Sequence, residues 1–316
     1  MPDLGGLPAL DVVIGLTFVF ATLALIASGI SELISRAFKL RAKNLEEGIR
    51  NLLNDPDGTG LANDVLSHPL IASLRRNGAP ADTAHDTKPA SYVPSRVFAA
   101  ALMDTIAPPP QPNQSRDLVQ AARDNIDQIP NGPVREALQT LADDTRSGID
   151  DFRTAIEGWY DDTMDRVSGW YKRRIQTILI VIGIALAIAF NVDAVQIGGT
   201  LWNNDSVRAG VVAQAQKAAD DQTSTDDPTA QIETGAKTIQ DLQALKLPIG
   251  WSDASNDSAD PRKLPGDAFG WLGKLLGILI SGFAVSLGAP FWFDLMGRAL
   301  SLRSSGKPAT TGGGTS

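Results

Sequence analysis

The residues most suited to chemistry are charged groups set close to apolar runs. Glu32 closes one uncharged run and Lys274 opens another. An ionisable side chain at membrane depth is costly and marks an ion path by default. Arg36 follows Glu32 by one helical turn, so an i,i+4 pair at the interface accounts for the carboxylate. The stem of Lys274 can snorkel to the interface, and Asp11 reads the same way. Asp55-Pro-Asp57-Gly-Thr-Gly60 resembles half a calcium loop, but Thr59 and Leu66 stand where ligands are needed. A turn is the better reading. Glu157, Asp161, Asp162 and Asp165 could serve acid–base or metal chemistry, yet no histidine or nucleophile accompanies them, so they read as a solvated helix face. His68 precedes Pro69 and suits a helix cap, and His85 sits in a loop sequence. With no cysteine and only two histidines in the chain, thiol catalysis is excluded and little is left for a zinc site. No phosphate-binding glycine loop, nucleophile elbow or kinase signature occurs. The chain therefore reads as a non-enzyme with no cofactor and no metal.

The elements that carry these groups explain the composition. Across 316 residues the formal charge is −8 and the mean hydropathy −0.05, values of an ordinary acidic soluble protein. The average conceals three uncharged runs at 12–31, 175–192 and 275–293. A helix rises ~1.5 Å per residue, so each run approaches the ~30 Å of a hydrocarbon core. Arg36, Lys39, Arg41, Lys43 and Arg50 follow the first run. Arg166, Lys172, Arg173 and Arg174 precede the second, and Arg298, Arg303 and Lys307 follow the third. Basic residues stay on the cytoplasmic side of short loops. The acidic balance argues against a nucleic-acid partner. A cleaved leader is disfavoured, because the start lacks a basic region and the first run is long.

The expected fold is all-α. Residues 1–11 form an extracytoplasmic N-terminus, 12–35 the first transmembrane helix and 36–174 a cytoplasmic helical domain. The second transmembrane helix covers 175–192, and an extracytoplasmic helical hairpin and loop 193–270. The third transmembrane helix covers 271–293, and a cytoplasmic tail with a disordered end 294–316. Trp170, Tyr171, Lys172, Arg173, Arg174, Trp271 and Trp292 are the expected interface anchors. Trp271 and Trp292 lie 21 positions apart, or ~31 Å on one continuous helix. Spacing of Ile149, Phe152, Ile156, Trp159, Val167 and Trp170 predicts one helix from about 149 to 190, unbroken at Ser168-Gly169. Asn44 and Glu47 predict a capped helix over 45–54. Short helices are expected near 61–67, 69–76, 96–106, 115–128 and 133–145, with Ser95 capping the third. Residues 77–95 and 107–114 read as loop and proline-rich linker. The 193–268 region has 6 basic and 12 acidic residues and reads as helices near 205–220 and 229–245.

Two stripes of small residues suit close helix packing in a bilayer. One joins Thr17, Ala21, Ala24, Ser28, Ser31 and Ser35, and the other Gly273, Gly277, Ser281, Ala284 and Gly288. They point to packing within the chain or to a homo-oligomer or membrane-associated complex.

Six phrases carry a family resemblance: SELISRAFKLRAKNLEEGIRNLL (31–53), HPLI (68–71), PASYVPSRVFAAALMD (89–104), AIEGWYDDTMDRVSGWYKRRIQ (155–176), LPIGW (247–251) and SLGAPFWFDLMGRALSLRSSGKP (286–308). They resemble an uncharacterised family of bacterial integral membrane proteins. The resemblance implies a protein of the bacterial inner membrane and supports the multi-pass topology expected from the basic flanks, N-terminus outside and C-terminus cytoplasmic. The family has no established activity, so no catalytic residue carries over. The leading expectation is a non-enzymatic membrane scaffold or anchor. The alternatives are an oligomeric channel or transporter subunit and, third, a transmembrane signal relay.

Overall fold

The computed structural model describes residues 8–74, 90–108, 118–143, 148–220, 226–252, 260 and 262–305. The expected loop at 77–95, the linker at 107–114, the turn at 223–228, His85 and the chain's end fall largely or wholly outside them. The fold is all-α, with no strand among the described residues. Thirteen helices are described: α1 Pro8–Ala37, α2 Leu40–Leu52, α3 Leu61–Ser67, α4 Pro69–Ala72, α5 Ser95–Ile106, α6 Leu118–Ile126, α7 Pro133–Asp143, α8 Ile149–Ala189, α9 Ala194–Asn203, α10 Asp205–Asp220, α11 Pro228–Ala244, α12 Ala268–Val285 and α13 Ala289–Ser305. Two of them, α1 and α12, are long and apolar enough to cross a membrane. A third span exists if α8 and α9, bent by 55° at the break between them, count as one. The chain divides into two compact units, one of residues 1–34 with 174–316 and one of residues 35–173.

The 35–173 unit has its own core. Ile49 of α2, Val65 of α3, Phe98 and Leu102 of α5, Ile126 of α6, Leu138 of α7 and Phe152 and Ile156 of α8 are all fully buried there. Phe98 stacks on Tyr160 with centroids 4.3 Å apart, and the Tyr160 hydroxyl donates to the Val93 carbonyl at 2.9 Å. Burial pushes the Tyr160 phenol up from its ordinary value. Lys39, at φ 52°, separates α1 from α2, so α2 starts at Leu40 rather than beyond Asn44. Asn44 is consequently inside the helix instead of capping it. It is buried and donates from Nδ2 to the Val167 carbonyl of α8 at 3.2 Å. Ser95 is likewise the first helical residue of α5, behind Pro94, and makes no cap. His68 does cap α4, accepting from Leu70 N–H at 3.3 Å, while Nε2 lies 2.9 Å from Asp104. The α4 helix stops at Ala72, four residues short of the expected end.

Asp55 sits in the expected turn and holds it closed. Its carboxylate accepts from Thr59, Gly60 and Ala62 N–H at 3.1, 2.9 and 3.1 Å. Burial raises its pKa, but these backbone donors, with that of Asn63, outweigh burial and leave it below the ordinary value.

The other unit is built around α1. Ile14, Val19, Leu23, Ala24 and Ala27 of that helix are completely buried, against a core that includes Leu201 of α9, Val211 and Ala215 of α10, Leu242 of α11 and Met296 of α13. A Cβ placed on Gly29 would lie 2.6 Å from the Pro228 carbonyl, so α1 and α11 meet backbone to backbone. The α10 and α11 helices occupy nearly the residues expected of them, yet they lie along α1 rather than forming a lobe apart from it. Val207, Val211 and Ala215, four residues apart, give α10 the apolar stripe that requires this.

The third apolar run is not one helix. After α12 the chain turns at Gly288, whose φ of 87° suits glycine. Gly288 N–H bonds the Val285 carbonyl at 3.1 Å, and α13 starts with Pro290 in its first turn. The expected continuous span to 293 is therefore corrected to an 18-residue helix ending at Val285. Trp292 is the expected interface anchor at the inner end of that run. It is instead buried, 5.0 Å from Phe20 between ring centroids, and donates to the Ala284 carbonyl at 2.7 Å. Further on, Arg303 Nε lies 3.0 Å from Asp11 Oδ1, an ion pair outside hydrogen-bond geometry. The expected topology sets these two residues on opposite sides of a membrane, whereas the return of α13 along α1 brings them together.

Candidate functional site at the break between α8 and α9

The polar groups of the apolar unit concentrate where α8 ends. Val192 N–H reaches back to the Ala187 carbonyl at 2.8 Å, and Asn191 adopts φ 48°. This is the close of a helix through a left-handed residue, a role Asn tolerates. Two α8 carbonyls near the break find outside partners. Ile188 accepts from the Trp251 indole at 2.9 Å, and Phe190 from Gly250 N–H at 2.6 Å. Asn191 Nδ2 donates to the Gly250 and Arg262 carbonyls at 2.9 and 3.1 Å. The segment LPIGW and the residues before α12 thus plug the broken helix.

Asp193 begins α9. Its Oδ1 accepts from Val195 and Gln196 N–H at 3.0 and 3.1 Å, the geometry of an N-cap. The carboxylate lies against Gly277 of α12 so closely that any Cβ there would collide with it. One turn before Gly277, Lys274 is 2% exposed, with its Nζ 5.4 Å from the centre of the Trp251 ring. Asp193 and Asp260 are the carboxylates whose charge acts on it. Asp260 in turn grips Arg262 through Nε at 3.0 Å and Nη2 at 2.8 Å. Hydrogen bonding to Arg262, by side chain and backbone, holds Asp260 well below the usual carboxylate range and raises the guanidinium.

The constellation balances two buried charges, Lys274 and Asp193, at a bend in an apolar helix. Asp193 spends one oxygen on the cap. No group of three metal-binding side chains occurs among the described residues. What the arrangement can do is fix the bend and hold the charge of Lys274 inside an apolar unit. The Asn191 Oδ1 is buried with no hydrogen-bond partner.

The other expected site residues divide. Ala21 and Ala24 are buried in α1, and Ser28 is half-buried. The seam of α12 runs through Lys274, Gly277, Ile278, Ser281, Gly282 and Val285, so Gly277 and Ser281 belong to it. Gly273 faces open space, Ala284 is half-buried and Gly288 lies beyond the helix. The closest approach is at Gly183 and Gly282, where a Cβ on Gly183 would sit 2.5 Å from the Gly282 carbonyl. Trp170 and Trp271 are exposed and Tyr171 half-buried, with Lys172, Arg173 and Arg174 exposed. Glu32 is half-buried on α1 and takes no part in the break. Asn191 and Asp193 are unmarked in the sequence, and Trp251 stands there only as the end of the LPIGW phrase. The available signal was a carboxylate at the end of one apolar run facing a lysine at the start of another.

No protein-family model, characterised protein or solved structure matches the chain.

Proposed function

We propose that the chain is a non-enzymatic scaffold or anchor of the bacterial inner membrane, acting as a homo-oligomer or with a partner complex. One observation carries the reading. Residues 35–173 form a compact helical unit with its own core, covalently continuous through α1 and α8 with a unit that holds the apolar spans. Such a chain is suited to hold a helical module at a bilayer, and a self-contained core is what a module needs. Detergent-solubilised protein is expected to run as an oligomer or a defined complex. A monomer at every concentration, with no co-purifying partner, overturns the reading.

The basic flanks support a cytoplasmic 36–174 and an outer N-terminus, while the Asp11–Arg303 pair supports a C-terminal helix that returns to the N-terminal side. Because the chain has no cysteine, Asp11→Cys and Arg303→Cys labelled from outside separate the two. Labelling of position 11 alone gives a cytoplasmic C-terminus, and labelling of both gives the return.

A channel or transporter subunit is the second reading, favoured by the broken α8–α9 helix beside buried Lys274 and Asp193. Discontinuous helices with buried charge recur at transport sites. Reconstituted vesicles with no ion or solute flux, or with flux unaltered by Glu32→Gln and Lys274→Gln, remove it.

A further inference from the structure

Two short stretches of the 35–173 unit concentrate positive charge. Residues 35–43 contain Arg36, Lys39, Arg41 and Lys43 and no Asp or Glu, and residues 166–173 contain Arg166, Lys172 and Arg173 and again no acid. The chain as a whole is acidic, so this local excess runs against its composition. The fold joins the two stretches. The Tyr171 hydroxyl lies 3.1 Å from Ser35 Oγ and accepts from Arg41 Nε at 3.2 Å. One turn deeper, Asn44 ties α2 to the Val167 carbonyl, and Gly48 lets α2 lie directly against the Val167 side chain. All seven cations are exposed. Phe38 and Trp170, 60% and 42% exposed, place aromatic faces within the same two stretches.

Three features select the partner. Clustered cations attract phosphate-bearing groups. Aromatic side chains beside cations suit the headgroup layer, where a ring can be half apolar and half wet. Each stretch is also continuous in sequence with an uncharged run, 12–31 or 175–192. We propose that this collar is a binding surface for anionic phospholipid headgroups, with Tyr171 as the pin that holds Arg41 against α8. The proposal deepens the membrane-anchor reading and rests on it. It goes beyond orientation, because it requires lipid selectivity in the folded protein.

The test uses the full-length chain. Flotation with phosphatidylcholine vesicles first establishes insertion. Failure to float with any vesicle overturns the membrane reading and this proposal with it. The detergent-solubilised chain is then exposed to equal amounts of phosphatidylglycerol and phosphatidylcholine, and retained lipid is counted by native mass spectrometry. Retention is expected to favour phosphatidylglycerol and to weaken with salt, as surface electrostatics does. The R41Q/K172Q/R173Q variant is expected to lose the preference, by about fivefold per charge at low salt. The charge-conserving K172R/R173K variant, which leaves the Arg41–Tyr171 bond in place, keeps it. Tyr171→Phe keeps every charge and loses part of it. Equal retention of the two lipids by a protein that does float overturns the proposal alone. A preference untouched by the triple change does so too, as does displacement of the lipid by polyglutamate at matched charge, which points to an acidic protein instead. A melting temperature for each variant confirms that it is folded.

Discussion

Two-thirds of the apolar stretch of α1 is buried by other helices of its own unit, against one-third of that of α12 (67% and 33%). On α12, Leu272, Leu275, Leu276, Leu279, Ile280 and Phe283 all stay exposed, whereas Leu23 and Ala24 of α1 are sealed among α9, α10, α11 and α13. Similar residues thus meet different neighbours. Apolar exposure on this scale marks a surface awaiting an apolar partner, and on α12 that partner is the lipid of the proposed reading. Hydropathy along the chain reports that a segment avoids water. It does not report whether protein or lipid replaces the water.

The comparison can be broken most sharply at Lys274, the charge on the inward seam of α12. Lys274→Met leaves the buried Asp193 without its cation and is expected to cost about 3–5 kcal/mol, read as a large fall in melting temperature in detergent. An unchanged melting temperature would show that Lys274 turns outward like its neighbours. Leu23→Ala, at a fully buried position, is expected to cost about 3 kcal/mol. A negligible cost would mean that the sheath around α1 is loose. Tyr160→Phe supplies a control in the other unit. Loss of its bond to Val93 should cost about 1 kcal/mol and leave hydrogen exchange in α1 and α12 unaltered. Leu276→Ala, on the bare face of α12, should stay within about 0.5 kcal/mol. The smallest effect is at Asp55. Its folded pKa lies below the ordinary 3.8, so its contribution is present above that value and is lost as pH falls through the folded one. Amide exchange at Thr59–Ala62 should therefore accelerate in acid, and Asp55→Asn should abolish the pH dependence.

The long α8 was legible because its apolar spacing and the lack of proline are local signals. The helices α3, α6 and α7 followed for the same reason. Gly288 and Pro290 also announced a turn, but the uncharged run around them suggested a single span. Asn44 misled because a capping pattern says nothing of the left-handed Lys39 that starts α2 earlier. The break site was hidden for a different reason. Asp193, Trp251, Asp260 and Lys274 meet only after α8, α9 and α12 have packed, and no spacing rule connects positions so far apart. The sheath around α1 left one trace in the sequence, the valine stripe of α10, whose partner could not be named.

The ring contact between Phe20 and Trp292 ties together two residues made 272 positions apart in translation. At ~5–20 residues per second the ribosome delivers the second roughly 15–55 s after the first. For most of that interval α1 is apolar and without α13, and the helices from α9 onward have not yet been made. Something else must host it, either the insertion machinery or the lipid itself, before its own chain displaces that host. A helix two-thirds buried in the finished unit therefore waits in a foreign environment until its own chain covers it.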